Sequence, residues 1–255
     1  METATAAAPL ARLMANVNGV LVGKEDVVRR TVITLLARGH LLIEDVPGIG
    51  KTLLGLALAR SVAAKFRRIQ FTNDLLPSDI LGVHLYDQKE ARFEFRPGPV
   101  FANILLADEI NRSTPKTQSA LLEAMNERQV SLEGSTLPLP DPFLVIATEN
   151  PVEHAGTFPL PEAQLDRFLM RVQIGYPSAG DELEVLRGGE MEARLDSLRP
   201  VLTLEEVLEL QARAARVHVD DAVLGYAVAL ARATRDDPRI RLGLSPRGAQ
   251  ALAAA

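Results

Sequence analysis

Three stretches constrain the fold more than anything else in this chain. Leu41–Ile43, Ile104–Ala107 and Phe143–Ala147 are apolar at every position, with turn formers or acids close behind them. A strand without polar alternation is buried on both faces, which a sheet with one wetted side does not provide. Around them the apolar spacing changes to a helical period, at Leu53, Leu54, Leu56, Ala57, Leu58 and Val62 and again at Leu121, Leu122 and Met125 within Lys116–Arg128. Phe66–Thr72 is a further strand candidate, and the series ends near Leu169–Ile174. Strand and helix alternate, so the sequence predicts an α/β fold with a parallel five-stranded sheet and flanking helices.

Two segments interrupt that alternation. Val83–Arg96 carries His84/Tyr86 and Phe93/Phe95 in period two around Asp87–Glu90, and Gln129–Leu139 repeats the pattern around Glu133-Gly134-Ser135. Both read as inserted β-hairpins. Gly175–Gly180 has the composition of a linker, and the stretches after it (Leu183–Leu186, Leu202–Leu210, Ala222–Ala233) read as helices. The expected division is therefore an α/β domain over residues 1–176 and a small all-α domain over residues 177–255.

Composition narrows the chemistry. The chain has no cysteine, which excludes disulfides, thiolate metal sites and thiol nucleophiles, and its four histidines form no i,i+4 pair. A net charge of −5 and 4% aromatic residues with no Trp weigh against nucleic acid as the partner. Glu2, Pro9, Arg12 and Asn16 break up any leader-like apolar run, and no later run is long enough to span a bilayer. A cytoplasmic protein without a membrane span is expected.

The chemistry points to phosphate. Asp45-Val46-Pro47-Gly48-Ile49-Gly50-Lys51-Thr52 joins the first apolar run to a helix and matches G-x-x-x-x-G-K-[ST] except at its first position, where Asp45 replaces glycine. Gly48 and Gly50 would let backbone amides wrap a phosphate, the helix N-terminus would add partial positive charge, Lys51 would reach the β- and γ-phosphates, and the Thr52 hydroxyl would hold Mg²⁺. The second acidic signal is Asp108-Glu109 at the end of the Ile104–Ala107 run, where Asp108 would support hydrated Mg²⁺ and Glu109 would polarise the attacking water. In a parallel sheet the strand C-termini line one crevice, which brings the two motifs together.

At this point the sequence resembles the AAA+ ATPases, and among them the MoxR family. The resemblance is carried by Val46–Thr52, Phe95–Asn103, Asp108–Arg112, Lys116–Met125 and Phe158–Phe168, and runs from about Val22 to Arg247. It implies a P-loop α/β domain, a helical lid that is incomplete at its C-terminus, ATP and Mg²⁺ as ligands, and ATP hydrolysis. It also implies a homo-oligomeric, often hexameric ring that remodels or matures protein clients, frequently ones with von Willebrand factor A domains. By the same resemblance Asn150 corresponds to the sensor 1 residue and Arg167 to the arginine finger that enters a neighbour's site. Arg247 corresponds to sensor 2, and Val22-Gly23 to the segment whose backbone touches adenine. Two other readings stay open: an assembly module that binds nucleotide with negligible hydrolysis, and a nucleic-acid motor.

Overall fold

The computed structural model describes residues 3–46, 48–132, 134–151, 156–188 and 191–255. In chain order the helices are α1 (Thr3–Asn18), α2 (Glu25–Leu36), α3 (Lys51–Ser61), α4 (Pro77–Leu81), α5 (Pro115–Glu127), α6 (Glu162–Leu165), α7 (Ala179–Gly188), α8 (Met191–Ser197), α9 (Leu204–Ala214), α10 (Asp221–Asp236) and α11 (Pro246–Ala254). The strands are β1 (Leu41–Glu44), β2 (Phe66–Gln70), β3 (Gly82–Asp87), β4 (Arg92–Pro97), β5 (Ile104–Asp108), β6 (Gln129–Leu132), β7 (Ser135–Pro138), β8 (Leu144–Glu149) and β9 (Met170–Val172).

Five strands form one sheet in the order β2-β5-β8-β1-β9, and every pairing in it is parallel. The period-two alternation of the buried runs divides the core into two layers. Leu41, Ile43, Ile104, Leu106, Leu144 and Ile146 pack with residues of α1, α2 and α3. Leu42, Leu105, Ala107, Val145 and Ala147 pack on the other side with residues of α5. Full burial of a Leu or Ile side chain contributes about 1.5–3 kcal/mol, and the central strands supply such residues to both layers.

The two hairpins form as expected. β3 pairs with β4 and β6 with β7, both antiparallel. Across the first hairpin His84 faces Phe95 and Tyr86 faces Phe93, each pair with ring centroids 5.3 Å apart. Two helices lacked a clear sequence signal. α4 is a five-residue turn started by Pro77. α1 contains Pro9 and polar interruptions, yet it buries Leu13 and Val17. Asn16 anchors it by donating from Nδ2 to Ser61 Oγ (2.9 Å) on α3.

After β9 the chain is helical. Thr203 and Glu206 form a capping box at the start of α9, whose Val207 and Leu210 join the core layer of α2 and α3, while Gln211 donates to the Leu35 carbonyl (2.7 Å). In α10, by contrast, Val223, Tyr226 and Val228 are exposed. Among the described residues no helix is long and apolar enough to cross a membrane.

Candidate functional site

The strand order decides which residues meet. β8 lies between β1 and β5, so the turn after β1, the acids closing β5 and the residue following β8 converge at one end of the sheet. Gly48, Gly50, Lys51, Thr52, Asp108, Glu109 and Asn150 line a single cavity of about 420 Å³ there, together with Leu53, Leu56, Arg68 and Gln70.

The loop explains its glycines. Gly48 (φ 87°) and Gly50 (φ 93°) adopt left-handed backbone conformations that a side chain would strain, although the space around both is open. Gly50 is the N-cap of α3, and among the described residues no side chain caps this helix, which leaves its N-terminus suited to an anion. Lys51 is buried, and its ammonium donates to the carbonyls of Asp45 and Glu149. Burial holds its pKa below the ordinary lysine value, while the carboxylates of Asp108, Asp45 and Glu109 pull it the other way.

Thr148 organises the acids. Its hydroxyl donates to Asp108 Oδ1 (2.6 Å) and accepts the Glu109 amide (2.9 Å). Asp108 Oδ2 accepts from Arg68 Nη2 (2.6 Å) and Nε (3.1 Å). Glu109 has a left-handed backbone (φ 56°) at the head of the single helical turn Ile110–Arg112, and its Oε2 meets Gln70 Nε2 (2.8 Å) and Arg112 Nε (3.2 Å). Arg68, Gln70 and Thr148 escaped the sequence reading. The one available signal was Thr148, a polar residue continuing an otherwise apolar strand.

Asp45, which departs from the glycine pattern, ties the loop to the segment after β9. Its carboxylate accepts from the amides of Val46 (2.9 Å) and Gly175 (2.6 Å), and its own amide donates to the Glu149 carbonyl (3.0 Å). Ile49 packs on the core layer of α3. Pro47 lies outside the described residues. Val22 and Gly23 are not among the described residues lining the cavity. A Cβ on Gly23 (φ 70°) would come within 2.3 Å of Asp181, so this turn packs on the start of α7. Lys24 holds the same segment by donating to the carbonyls of Ile174, Gly175 and Tyr176.

Arg167 and Arg247 stand elsewhere. Both line a second cavity of about 260 Å³ with Arg38, His40 and Arg128, residues that precede β1 and β6. Arg167 donates from Nη1 to the Leu122 carbonyl (2.7 Å), and its Nε is buried without a partner among the described residues. Arg247 reaches Asn126 Oδ1. Because the strands are parallel, this cavity, at the starts of β1 and β9, is at the opposite end of the sheet from the phosphate loop.

Next to the first cavity, on the sheet face of α5, Glu44 and Glu149 are neighbours across β1 and β8, and Arg171 of β9 pairs with Glu44. Burial, and then the Glu44 charge, pushes the Glu149 carboxyl up to about 7 against the opposing effect of Arg171.

The first cavity fits a magnesium–polyphosphate. It offers helix N-terminal amides, a buried lysine whose pKa burial holds below the ordinary value, and two carboxylates in one concavity. Among the described residues no cluster of three or more His, Asp or Glu could hold a metal ion alone. Mg²⁺ ordinarily keeps water and phosphate oxygens as ligands, so the Thr52 hydroxyl and the Asp108 carboxylate would be sufficient protein donors.

Comparisons with known proteins bear on the family and the fold. Residues 40–170, more than half of the chain, match the model of the ATPase family associated with various cellular activities (AAA). YeaC of Bacillus subtilis is 52% identical over 95% of this chain and 76% of its own length. Chaperone MoxR1 of Mycobacterium tuberculosis is 44% identical over 96% of this chain and 67% of its own length. Protein MoxR of Paracoccus denitrificans is 36% identical over 66% of this chain and half of its own. The crystal structure of a "putative ATPase" from Cytophaga hutchinsonii superposes with a TM-score of 0.89 at 40% identity, covering 98% of this chain and 78% of the other.

Proposed function

This chain belongs to the MoxR family of AAA+ ATPases, and from that premise we propose that it hydrolyses Mg²⁺–ATP at a site shared between copies in a ring and couples the reaction to remodelling of a protein partner. The observation that carries this reading is the single cavity lined by Gly48, Gly50, Lys51, Thr52, Asp108, Glu109 and Asn150. Lys51 and the first amides of α3 would offset the charge of the phosphates, and binding an anion would relieve the penalty that burial imposes on the Lys51 ammonium. Thr52 and Asp108 would hold Mg²⁺, whose role when bound is to neutralise charge on the phosphate oxygens. Glu109 would accept a proton from the attacking water, and Asn150 would orient that water.

Arg167 would complete the site of the adjoining copy. Its distance from its own phosphate loop supports action across a subunit boundary, and the shared cavity suggests that Arg247 acts beside it. Protein clients of the chaperone kind fit the relationship to MoxR1; a hexamer and clients with von Willebrand factor A domains are the finer form of the proposal. A nucleic-acid motor is the weaker reading, because on the first hairpin Arg92 pairs with Glu90 and Arg96 with Glu94.

One observation favours an assembly module with negligible turnover: the Glu109 carboxylate is engaged by Gln70 and Arg112. Comparing ATP turnover of the wild type with Glu109→Gln separates the two. The hydrolase reading expects measurable wild-type turnover that the substitution abolishes while ATP binding persists. Equal, near-zero rates in both proteins contradict it.

A further inference from the structure

We propose that Arg68 is the resident counter-cation of Asp108: a positioning residue that yields this carboxylate to Mg²⁺ and, once displaced, turns to the terminal phosphate, so that the site prefers ATP to ADP. The proposal rests on the nucleotide reading above and assigns a role to a residue outside the loop and acid motifs. β2 lies beside β5 in a register that sets Arg68 opposite Leu106 and Gln70 opposite Asp108. Arg68 is therefore two positions diagonal to Asp108 on the same face, within reach of a long side chain.

The carboxylate is fully committed. Thr148 occupies Asp108 Oδ1, and the Arg68 fork places both Nη2 and Nε on Oδ2. The Asp108 side chain is 14% exposed and that of Arg68 47%, so a largely covered acid meets a guanidinium with more room to move. A divalent cation supported by Asp108, directly or through its water, must compete with that fork for Oδ2. Arg68 itself lines the cavity with Lys51 and Thr52, so the displaced guanidinium stays beside the phosphates. A planar fork of N–H donors pairs with phosphate oxygens as well as with a carboxylate. Arg68 Nη2 also donates to Gln70 Oε1 (2.9 Å), whose amide holds Glu109, so the exchange reaches the second acid. ADP lacks the terminal phosphate and offers the displaced fork a poorer partner.

The test is binding of fluorescent ATP and ADP analogues to the full chain while Mg²⁺ is titrated. It uses wild type, Arg68→Ala, Arg68→Gln and, as a charge control on the other face of β2, Arg67→Ala. Removing Arg68 is expected to lower the Mg²⁺ midpoint about fivefold, the scale of one partly exposed ion pair. It should also shrink the preference for ATP over ADP about tenfold, while Arg67→Ala behaves as wild type. If a folded Arg68→Gln or Arg68→Ala protein keeps the wild-type midpoint and preference, or if Arg67→Ala shifts them equally, the Arg68 assignment is overturned and the nucleotide site stands. Wild type that binds neither analogue at any Mg²⁺ concentration overturns both.

Discussion

The two ends of the central sheet differ in the chemistry of their linings, and in the proposed mechanism they would be complementary halves of one site. At the C-terminal end are the uncapped helix, Lys51, the two acids and Asn150; at the N-terminal end Arg167 and Arg247 line a cavity with Arg38 and Arg128. Parallel strands keep these ends apart, and Arg167 donates to the Leu122 carbonyl and is not among the residues lining its own phosphate-loop cavity. The first end gathers a buried lysine and two carboxylates; the second carries positive charge, with the buried Arg167 Nε without a partner among the described residues. In the proposed ring, a second copy placed end to end would join them.

The prediction with the largest effect probes the second half alone. Arg167→Ala should reduce kcat by about 10³-fold or more while leaving nucleotide affinity near wild type, measured by steady-state turnover beside equilibrium binding. A parallel loss of binding would place Arg167 within its own nucleotide site and erase the distinction between the ends. The first half is probed by Lys51→Ala, which should weaken ATP binding about 100-fold with little change in thermal stability, since the substitution also removes a buried ammonium. Unchanged affinity would remove the phosphate loop from the account.

Two smaller effects sharpen the contrast by testing the frame around the first half. Asp45→Ala should cost about 2–3 kcal/mol in chemical denaturation, because it leaves the Gly175 and Val46 amides without their carboxylate acceptor. Glu149 supplies the pH test. Its carboxyl is raised from 4.5 to about 7 in the folded chain, so the native state binds the extra proton between those values and stability falls as pH rises through that window. Glu149→Gln should remove this slope. Its advantage over wild type should be near zero below about pH 4.5 and grow to about 1–2 kcal/mol above pH 7, allowing for the partial exposure of the group. A variant with the wild-type slope would mean that Glu149 is not the titrating carboxyl.

Much of this was legible from the residues. The doubly buried runs around Leu42, Leu105 and Val145 announce a parallel sheet, and the strain-tolerant Gly48 and Gly50 before Lys51 announce an anion loop. The strand order is a different kind of information. Nothing in local periodicity says that β8 inserts between β1 and β5 or that β2 flanks β5, and that order alone brings Thr148, Arg68 and Gln70 to the acids. Helix α1 was hidden because Pro9 and Asn16 interrupt its apolar pattern, although Asn16 has its own partner in Ser61. The meeting of Arg167 with Arg247 depends on where α11 packs, which lies beyond the reach of any single motif.

The division of labour between the ends is tested most directly by mixing two crippled proteins, Glu109→Gln and Arg167→Ala, and following ATP hydrolysis. If the site is shared, a junction that draws Arg167 from one variant and Glu109 from the other is intact, and random assembly restores about a quarter of wild-type turnover from two nearly inactive parents. A mixture no more active than the sum of its parts would contradict the shared site.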